Sequence, residues 1–222
     1  MAVEDRSGIG TLRGIALSLA TALTIMALAL LPLLSPAWIH TAMTLSGGQA
    51  AGVSQAQSLA LSDATVHELI FGPGTFAITY LDGRPLYGAD EIGHMQDVRL
   101  VLWAFLAIAA LAAVLLVVAV ARRDAAASWR AVARGGAGLA LLLVALGAFA
   151  ALAFGVAFEL FHRILFPGGN WAFDPAQSNL VRLYPLGFWQ LSAAVYGLLA
   201  GGISVIVWLF ARRRARRLEA QA

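Results

Sequence analysis

An all-α membrane protein with four transmembrane helices, carrying a small extracytoplasmic α/β cap between spans one and two, is the fold class that this sequence predicts. Three observations predict it. Of 222 residues, 60% are hydrophobic and only 12% are charged, about half the ~25% charged share of a soluble domain; the mean hydropathy is +0.80. Four apolar runs, Leu12 to Leu34, Leu100 to Ala121, Gly136 to Phe158 and Phe188 to Phe210, each have about the 20 residues a helix needs to cross ~30 Å of hydrocarbon. The 15 basic residues are all arginines, and they gather at alternate ends of those runs.

The elements follow in chain order. Residues 1–11 form a cytoplasmic N-terminus and residues 12–34 the first span. Its apolar core exceeds the ~7–15 residues of a signal-peptide core, so it reads as a retained span. Residues 35–97 form the cap. Within it, Ser46 to Gln57 is polar and glycine-rich and reads as mobile. Asp63 to Phe71 reads as a short helix, with Ser62 or Asp63 as N-cap and Gly72-Pro73-Gly74 as its stop. Phe76 to Leu81 suits a strand, Asp82-Gly83 a turn, and Arg84 to Tyr87 a weak return strand. Ala89-Asp90-Glu91 then opens a helix that runs through His94 and Asp97 into span two, residues 99–121. Acids in its first turn complement the helix dipole.

A short cytoplasmic connection, 122–134, leads to span three at 135–160. The second outer loop, 161–187, holds Phe161, Phe166, Trp171, Phe173 and Tyr184 around Asn170, Asp174, Arg163 and Arg182. Such aromatics form either an interfacial belt or the wall of a pocket open to the outer leaflet. Span four is 188–210, and residues 211–222 are a basic cytoplasmic tail suited to anionic lipid. Gly135-Gly136 and Gly201-Gly202 permit close helix approach in lipid.

Arg6, Arg13, Arg122, Arg123, Arg130, Arg134 and the five arginines after span four fall on one side; Arg84, Arg99, Arg163 and Arg182 fall on the other. The positive-inside rule then places both termini in the cytoplasm. A net charge of +3, confined to helix ends, gives no nucleic-acid partner. With no cysteine, disulfides, a thiol nucleophile and thiolate-ligated metal are excluded. No span reads as holding an internal charge, a Gly/Pro break near mid-membrane or an inverted repeat, which argues against a transporter.

The chemistry-bearing pattern is a repeated Glu-x-x-His: Glu91-Ile-Gly-His94 before span two and Glu159-Leu-Phe-His162 after span three. Because consecutive spans run in opposite directions, both histidines fall on the outer side at similar depth. Ionisable groups beside hydrocarbon are costly and mark a site by default. Residues three apart share a helix face, so Glu91 and Asp97 can flank His94, and Glu159 can flank His162. A carboxylate beside an imidazole fixes its tautomer and raises its basicity, which suits a general base. The alternative for each histidine is an interfacial side chain bonded to a helix end. A metal reading, by analogy with di-iron bundles, has half its ligands: spans one and four contain no acid, so no metal is expected. His40, beside Trp38, reads as interfacial and His67 as solvated.

Two stretches resemble a known family. Glu91-Ile-Gly-His94-Met95-Gln96-Asp97-Val98-Arg99 resembles the "E-x-x-HM-x-DV-[KR]" signature of the lipoprotein intramolecular transacylase family, small four-span bacterial membrane proteins. The segments Phe161 to Phe173 and Leu180 to Trp189 resemble its second signature. The resemblance implies a membrane acyltransferase in the bacterial cytoplasmic membrane that makes lyso-form lipoproteins. It moves the sn-2 acyl chain of a diacylglyceryl-cysteine lipoprotein to the α-amino group of the same cysteine. It implies His94 and His162 as the reaction centre, a diacylglyceryl lipoprotein and membrane lipid as partners, and no cofactor. Glu91, Asp97 and Glu159 are the supporting acids, and Arg163, Asn170, Trp171, Arg182 and Tyr184 the candidates for substrate binding or the oxyanion. On this reading His94 is the base, and His162 steadies the oxyanion or protonates the leaving glycerol oxygen. Leu186 stands where relatives often carry an acid, and Ser178-Asn179 where an aspartate is common. The oligomeric state is not fixed by the sequence. Rival readings are a membrane assembly factor or sensor that binds a partner through its outer loop, and a metal-dependent membrane hydrolase.

Overall fold

The computed structural model describes residues 2–122 and 125–221. Arg123 and Asp124 of the inner connection lie outside the described residues, as does the side chain of Arg6. The described chain is helical: α1 Ala2–Leu30, a 3₁₀ turn Leu31–Leu34, α2 Pro36–Ser46, α3 Gln55–Ile70, α4 Ala89–Val120, α5 Ala125–Leu165, α6 Asn179–Leu183 and α7 Leu186–Glu219. Four helical segments, Gly10–Leu34, Ala89–Val120, Ala125–Leu165 and Leu186–Glu219, are long and apolar enough to cross a membrane. Their outward faces carry large apolar side chains such as Leu111, Val117, Leu141 and Val144, the surface that lipid rather than water accepts. The third is interrupted at Ala153, whose backbone (φ −147°, ψ 54°) is not helical; no proline marks the place.

The chain divides into two compact units. One comprises the segments up to Leu30, Phe105–Ala148 and from Tyr196 onward. Small residues hold it together, as close packing in lipid requires. A Cβ on Gly135 would lie 2.4 Å from the Ser18 carbonyl oxygen, and one on Gly136 2.8 Å from that of Ser204. The Ser18 hydroxyl bonds the Ala131 carbonyl at 2.9 Å, and Arg13 donates to Ser128 at 3.0 Å. Gly201 and Gly202, expected to serve the same purpose, face open space instead.

The other unit, Leu31–Ala104 with Phe149–Val195, contains the cap and both histidines. Ser35 caps α2 through the Trp38 amide, with Pro36 at the first turn and Gly47 (φ 73°) ending the helix in the left-handed region, where glycine carries no Cβ penalty. The third helix begins eight residues before the position expected from sequence. Ser54 and Gln57 form a reciprocal capping box there, satisfying two otherwise orphaned amides. The stretch expected to be mobile is held: Ala50 donates its N–H to Ser58 at 3.0 Å, and Gln49 to the Arg182 carbonyl at 3.0 Å. Gly48 is needed for that docking, because a Cβ there would lie 2.3 Å from the Leu183 carbonyl oxygen.

The expected α/β character of the cap is not found. Among the described residues there is no strand, only one isolated bridge between Thr79 and Pro85. The physical reason is local. The Glu68 carboxylate accepts the Thr75 and Phe76 amides at 2.7 and 3.2 Å, and Phe76 turns into the left-handed region (φ 51°) with its ring buried. Against the desolvation that raises it, those hydrogen bonds hold the Glu68 carboxyl below its ordinary value. On the return side, Pro85 has no N–H and stops the ladder. Two cross-links survive, Tyr80 N–H to Arg84 O and Leu86 N–H to Ile78 O, both 2.8 Å. Apolar packing does the rest: Ile39, Met43, Phe76, Leu86, Tyr87, Met95, Leu183 and Phe188 form one buried cluster. Burial pushes the Tyr184 hydroxyl up to about 12; it meets Ser62 at 2.8 Å.

Candidate active site

His94 lies in the second turn of α4 and His162 in the last turn of α5, and the structure brings their rings to 5.9 Å between centroids. Both are buried, at 7% and 8% exposure, rather than resting on an outer edge. Aromatic side chains of the second loop close over them. His94 packs edge-on against Phe166 (4.9 Å) and Phe173 (5.9 Å); His162 meets Phe158 (4.1 Å) and Trp171 (5.1 Å). Phe166, Trp171 and Phe173 of this aromatic loop are packed against the two histidines.

The hydrogen bonds differ between the two rings. His162 Nδ1 lies 2.8 Å from the carbonyl oxygen of Phe158, one helical turn earlier. A carbonyl only accepts, so Nδ1 carries the hydrogen and Nε2 holds the lone pair in the neutral ring. His94 Nδ1 is buried with no hydrogen-bond partner. Asn170 donates from Nδ2 to the Asp97 carboxylate at 2.9 Å. Because an ionised carboxylate can only accept, that contact fixes the amide's orientation and leaves Oδ1 as the free acceptor, which is likewise buried and unpartnered. Buried polar atoms without partners are rare in folded proteins; among the described residues the third is Ser204 Oγ, in the other unit.

The supporting acids are placed otherwise than the sequence implies. Neither glutamate of the Glu-x-x-His elements bonds its histidine. Glu91 is 8% exposed and accepts three hydrogen bonds: Gly88 N–H at 2.7 Å, Ser178 hydroxyl at 2.6 Å and Leu180 N–H at 2.9 Å. It therefore clasps the start of α6 to the first turn of α4. Glu159 pairs with Arg163 at 2.6 Å on an exposed face. Arg182 donates to the carbonyls of Pro175 and Ala176, bracing its own loop, and the Tyr184 hydroxyl is engaged with Ser62 in the cap. His94, His162, Asp97, Asn170 and Trp171 thus converge, whereas Glu91, Glu159, Arg163, Arg182 and Tyr184 are engaged elsewhere.

Two groups of the site escape a reading of side-chain types, the Phe158 carbonyl and the Ser178 hydroxyl, which act through position. The first had a signal, since a helical histidine faces the carbonyl four residues back. Ser178, at a place where an aspartate is common, caps α6 and donates to Glu91; an aspartate there would set two carboxylates against each other. Asn179 donates to the Leu86 carbonyl at 2.8 Å, which an ionised aspartate could not do. His67 is exposed, and His40 pairs with Asp63 at 2.7 Å. Among the described residues, no three of histidine, aspartate and glutamate converge as a ligand set for a metal.

Four long apolar helices and a buried imidazole pair packed among aromatic rings define a membrane-integral protein with a candidate active site. A model of the lipoprotein intramolecular transacylase Lit family matches residues 65–189, a stretch containing both histidines. The chain belongs to that family, and is an acyltransferase on that ground. Solved structures agree in fold. The in meso structure of the membrane integral lipoprotein intramolecular transacylase Lit from Bacillus cereus aligns with a TM-score of 0.71 at 20% identity, covering 97% of this chain and 100% of that one. Its histidine-to-alanine and histidine-to-arginine mutants align at 0.65 and 0.66, each at 19% identity, over 99% and 100% of this chain and 100% and 98% of theirs. No curated protein matches the chain.

Proposed function

We propose that this chain moves the sn-2 acyl chain of a diacylglyceryl-cysteine lipoprotein to the α-amino group of the same cysteine, at the outer leaflet of the bacterial cytoplasmic membrane. The observation that carries the reading is the buried histidine pair, with His94 Nδ1 and Asn170 Oδ1 unpartnered, within the stretch that matches the family. Amine attack on an ester needs a proton acceptor, a donor for the developing oxyanion, and a proton for the departing alkoxide.

The sequence assigns the base to His94; the hydrogen bonds favour His162. With Nδ1–H held by the Phe158 carbonyl, its Nε2 lone pair takes the proton from the substrate amine. The amine nitrogen bonds to the ester carbonyl carbon, the carbon–oxygen bond to glycerol breaks, and the same Nε2 returns the proton to the glycerol oxygen. His94, with Nδ1 bare, carries its hydrogen on Nε2 and steadies the oxyanion. Asn170 Oδ1 accepts an N–H of the amine and holds it, and Asp97 positions Asn170. Because nucleophile and ester belong to one molecule, proximity supplies much of the acceleration. The balance closes with no cofactor and no acyl-enzyme.

The arginine distribution supports an N-in, C-in orientation with the histidines outside. Reporters fused at Ala127 and Gln221 are expected to read as cytoplasmic, and one at Gln55 as external; an external signal at Gln221 overturns that topology. The activity itself is tested in a host that makes only diacyl lipoproteins. Expressing this chain should give a reporter N-terminal peptide of unchanged mass in which fragmentation finds one acyl chain amide-linked and the sn-2 ester gone. Loss of acyl mass points to the hydrolase reading, and an unaltered peptide to a non-enzymatic role.

A further inference from the structure

A second, chemically different site lies wholly in the unit that lacks the histidines. Arg130 and Arg134 on α5, and Trp208, Arg212, Arg216 and Glu219 on α7, surround an open cavity of about 350 Å³ floored by alanines. Gly136 makes this possible: a Cβ there would stand 2.8 Å from the Ser204 carbonyl oxygen and 3.1 Å from the Trp208 amide nitrogen, so the two helices approach closely and their arginines face one space. The side chains have distinct duties. Arg130 is paired with Glu219, the one acid among the described residues that line the cavity. Arg212 lies over the Trp208 ring, 5.9 Å from its centroid. Among the described residues Arg134 and Arg216 make no ion pair, and Arg134 reaches toward Gly14 of α1, where an added Cβ would stand 2.8 Å from its Nη2. Four guanidinium groups against one carboxylate leave a surplus of three positive charges, and an indole and small apolar side chains border them.

Among the described residues, the positive charge lining this cavity beside lipid-facing helices outnumbers the one carboxylate there. Guanidinium forks match phosphate oxygens in shape and charge, and the apolar border suits the glycerol and first methylenes of a lipid. We propose that this cavity is a binding site for the phosphate headgroup of an anionic phospholipid. The site goes beyond general attraction of a basic tail to a charged leaflet, because only part of the arginine run lines it. Arg213, Arg214 and Arg217 belong to the same run and lie outside the cavity.

That difference makes the test. The full-length protein in detergent micelles is titrated with phosphatidylglycerol or phosphatidylcholine and the bound lipid is counted by native mass spectrometry. Phosphatidylglycerol should bind saturably and phosphatidylcholine should not. Near a surface each basic residue contributes roughly a fivefold change in affinity, so Arg134→Gln with Arg216→Gln should weaken binding about 25-fold. The charge-matched pair Arg213→Gln with Arg217→Gln should leave it nearly unchanged. Glu219→Gln, which releases Arg130, should tighten binding. Arg216→Gln alone, on an exposed side chain, keeps the test valid if the Arg134 variant fails to fold. Equal weakening by both double variants would reduce the site to diffuse charge and overturn the proposal. So would full displacement of the lipid by equimolar inorganic phosphate, which would make free phosphate the ligand.

Discussion

His162→Gln is expected to lower transacylation by about 10²–10⁴-fold, the usual contribution of a general base, while membrane level and unfolding temperature change little. Glutamine keeps a side-chain donor for the Phe158 carbonyl and lacks a basic nitrogen. The partner substitution should behave differently. His94→Gln retains an N–H for the oxyanion and should lose much less, whereas His94→Ala removes it and should lose about 10²–10³-fold. In the same assay Asn170→Leu, of similar volume without the acceptor, should cost about tenfold, the worth of one hydrogen bond. The alanine variant needs a folding control, because His94 is buried against Phe166 and Phe173 and its truncation leaves a cavity. Quantitative fragmentation of the reporter peptide measures all four. If His94→Gln proves as damaging as His162→Gln is meant to be, and His162→Gln is mild, the base is His94 and the tautomer argument fails.

The second large effect belongs to Glu91. Its carboxylate accepts from Gly88, Ser178 and Leu180 in a buried setting, and a hydrogen bond to a charged group is worth about 1.5–3 kcal/mol. Glu91→Ala strands two backbone N–H groups and one hydroxyl, and should destabilise the protein by about 3 kcal/mol or more. Glu91→Gln, which turns an amide toward one of those donors, should cost less. In both variants the remaining activity should follow the amount of folded protein, with the pH–rate profile of the wild type. Thermal unfolding in detergent and the profile across neutral pH check this together. Full stability with a displaced profile would instead make Glu91 the orienting partner of His94.

The clasp also shows where a sequence reading of this chain stops. Helix spacing places Glu91 and His94 on one face, and that much is true of the backbone; which partner a flexible carboxylate takes depends on what else arrives there. The start of α6 brings the Leu180 N–H and the Ser178 hydroxyl, both needing acceptors, from residues more than 80 positions away. They outcompete an imidazole for the carboxylate. The cap illustrates the same limit. Phe76 to Tyr87 has the composition of a hairpin, yet Glu68 captures the amides that would have begun the ladder, and Pro85 ends it after one bridge.

What the sequence by itself determined is what hydrocarbon dictates. A segment in lipid must satisfy every backbone group internally, so four apolar runs become four helices whatever their partners, and two histidines at corresponding ends of consecutive spans fall at one level. The family signature is equally local, residing in short runs around those histidines. Tertiary structure decided what depends on convergence. It turned the second loop inward as an aromatic wall, paired Asn170 with Asp97 so that one amide oxygen is left free, and fixed the His162 tautomer through the Phe158 carbonyl. Those outcomes depend on distances of about 3 Å between groups far apart in the chain, and hydrogen bonds fall away within a few tenths of an ångström of that length. Periodicity and composition carry no information at such a scale.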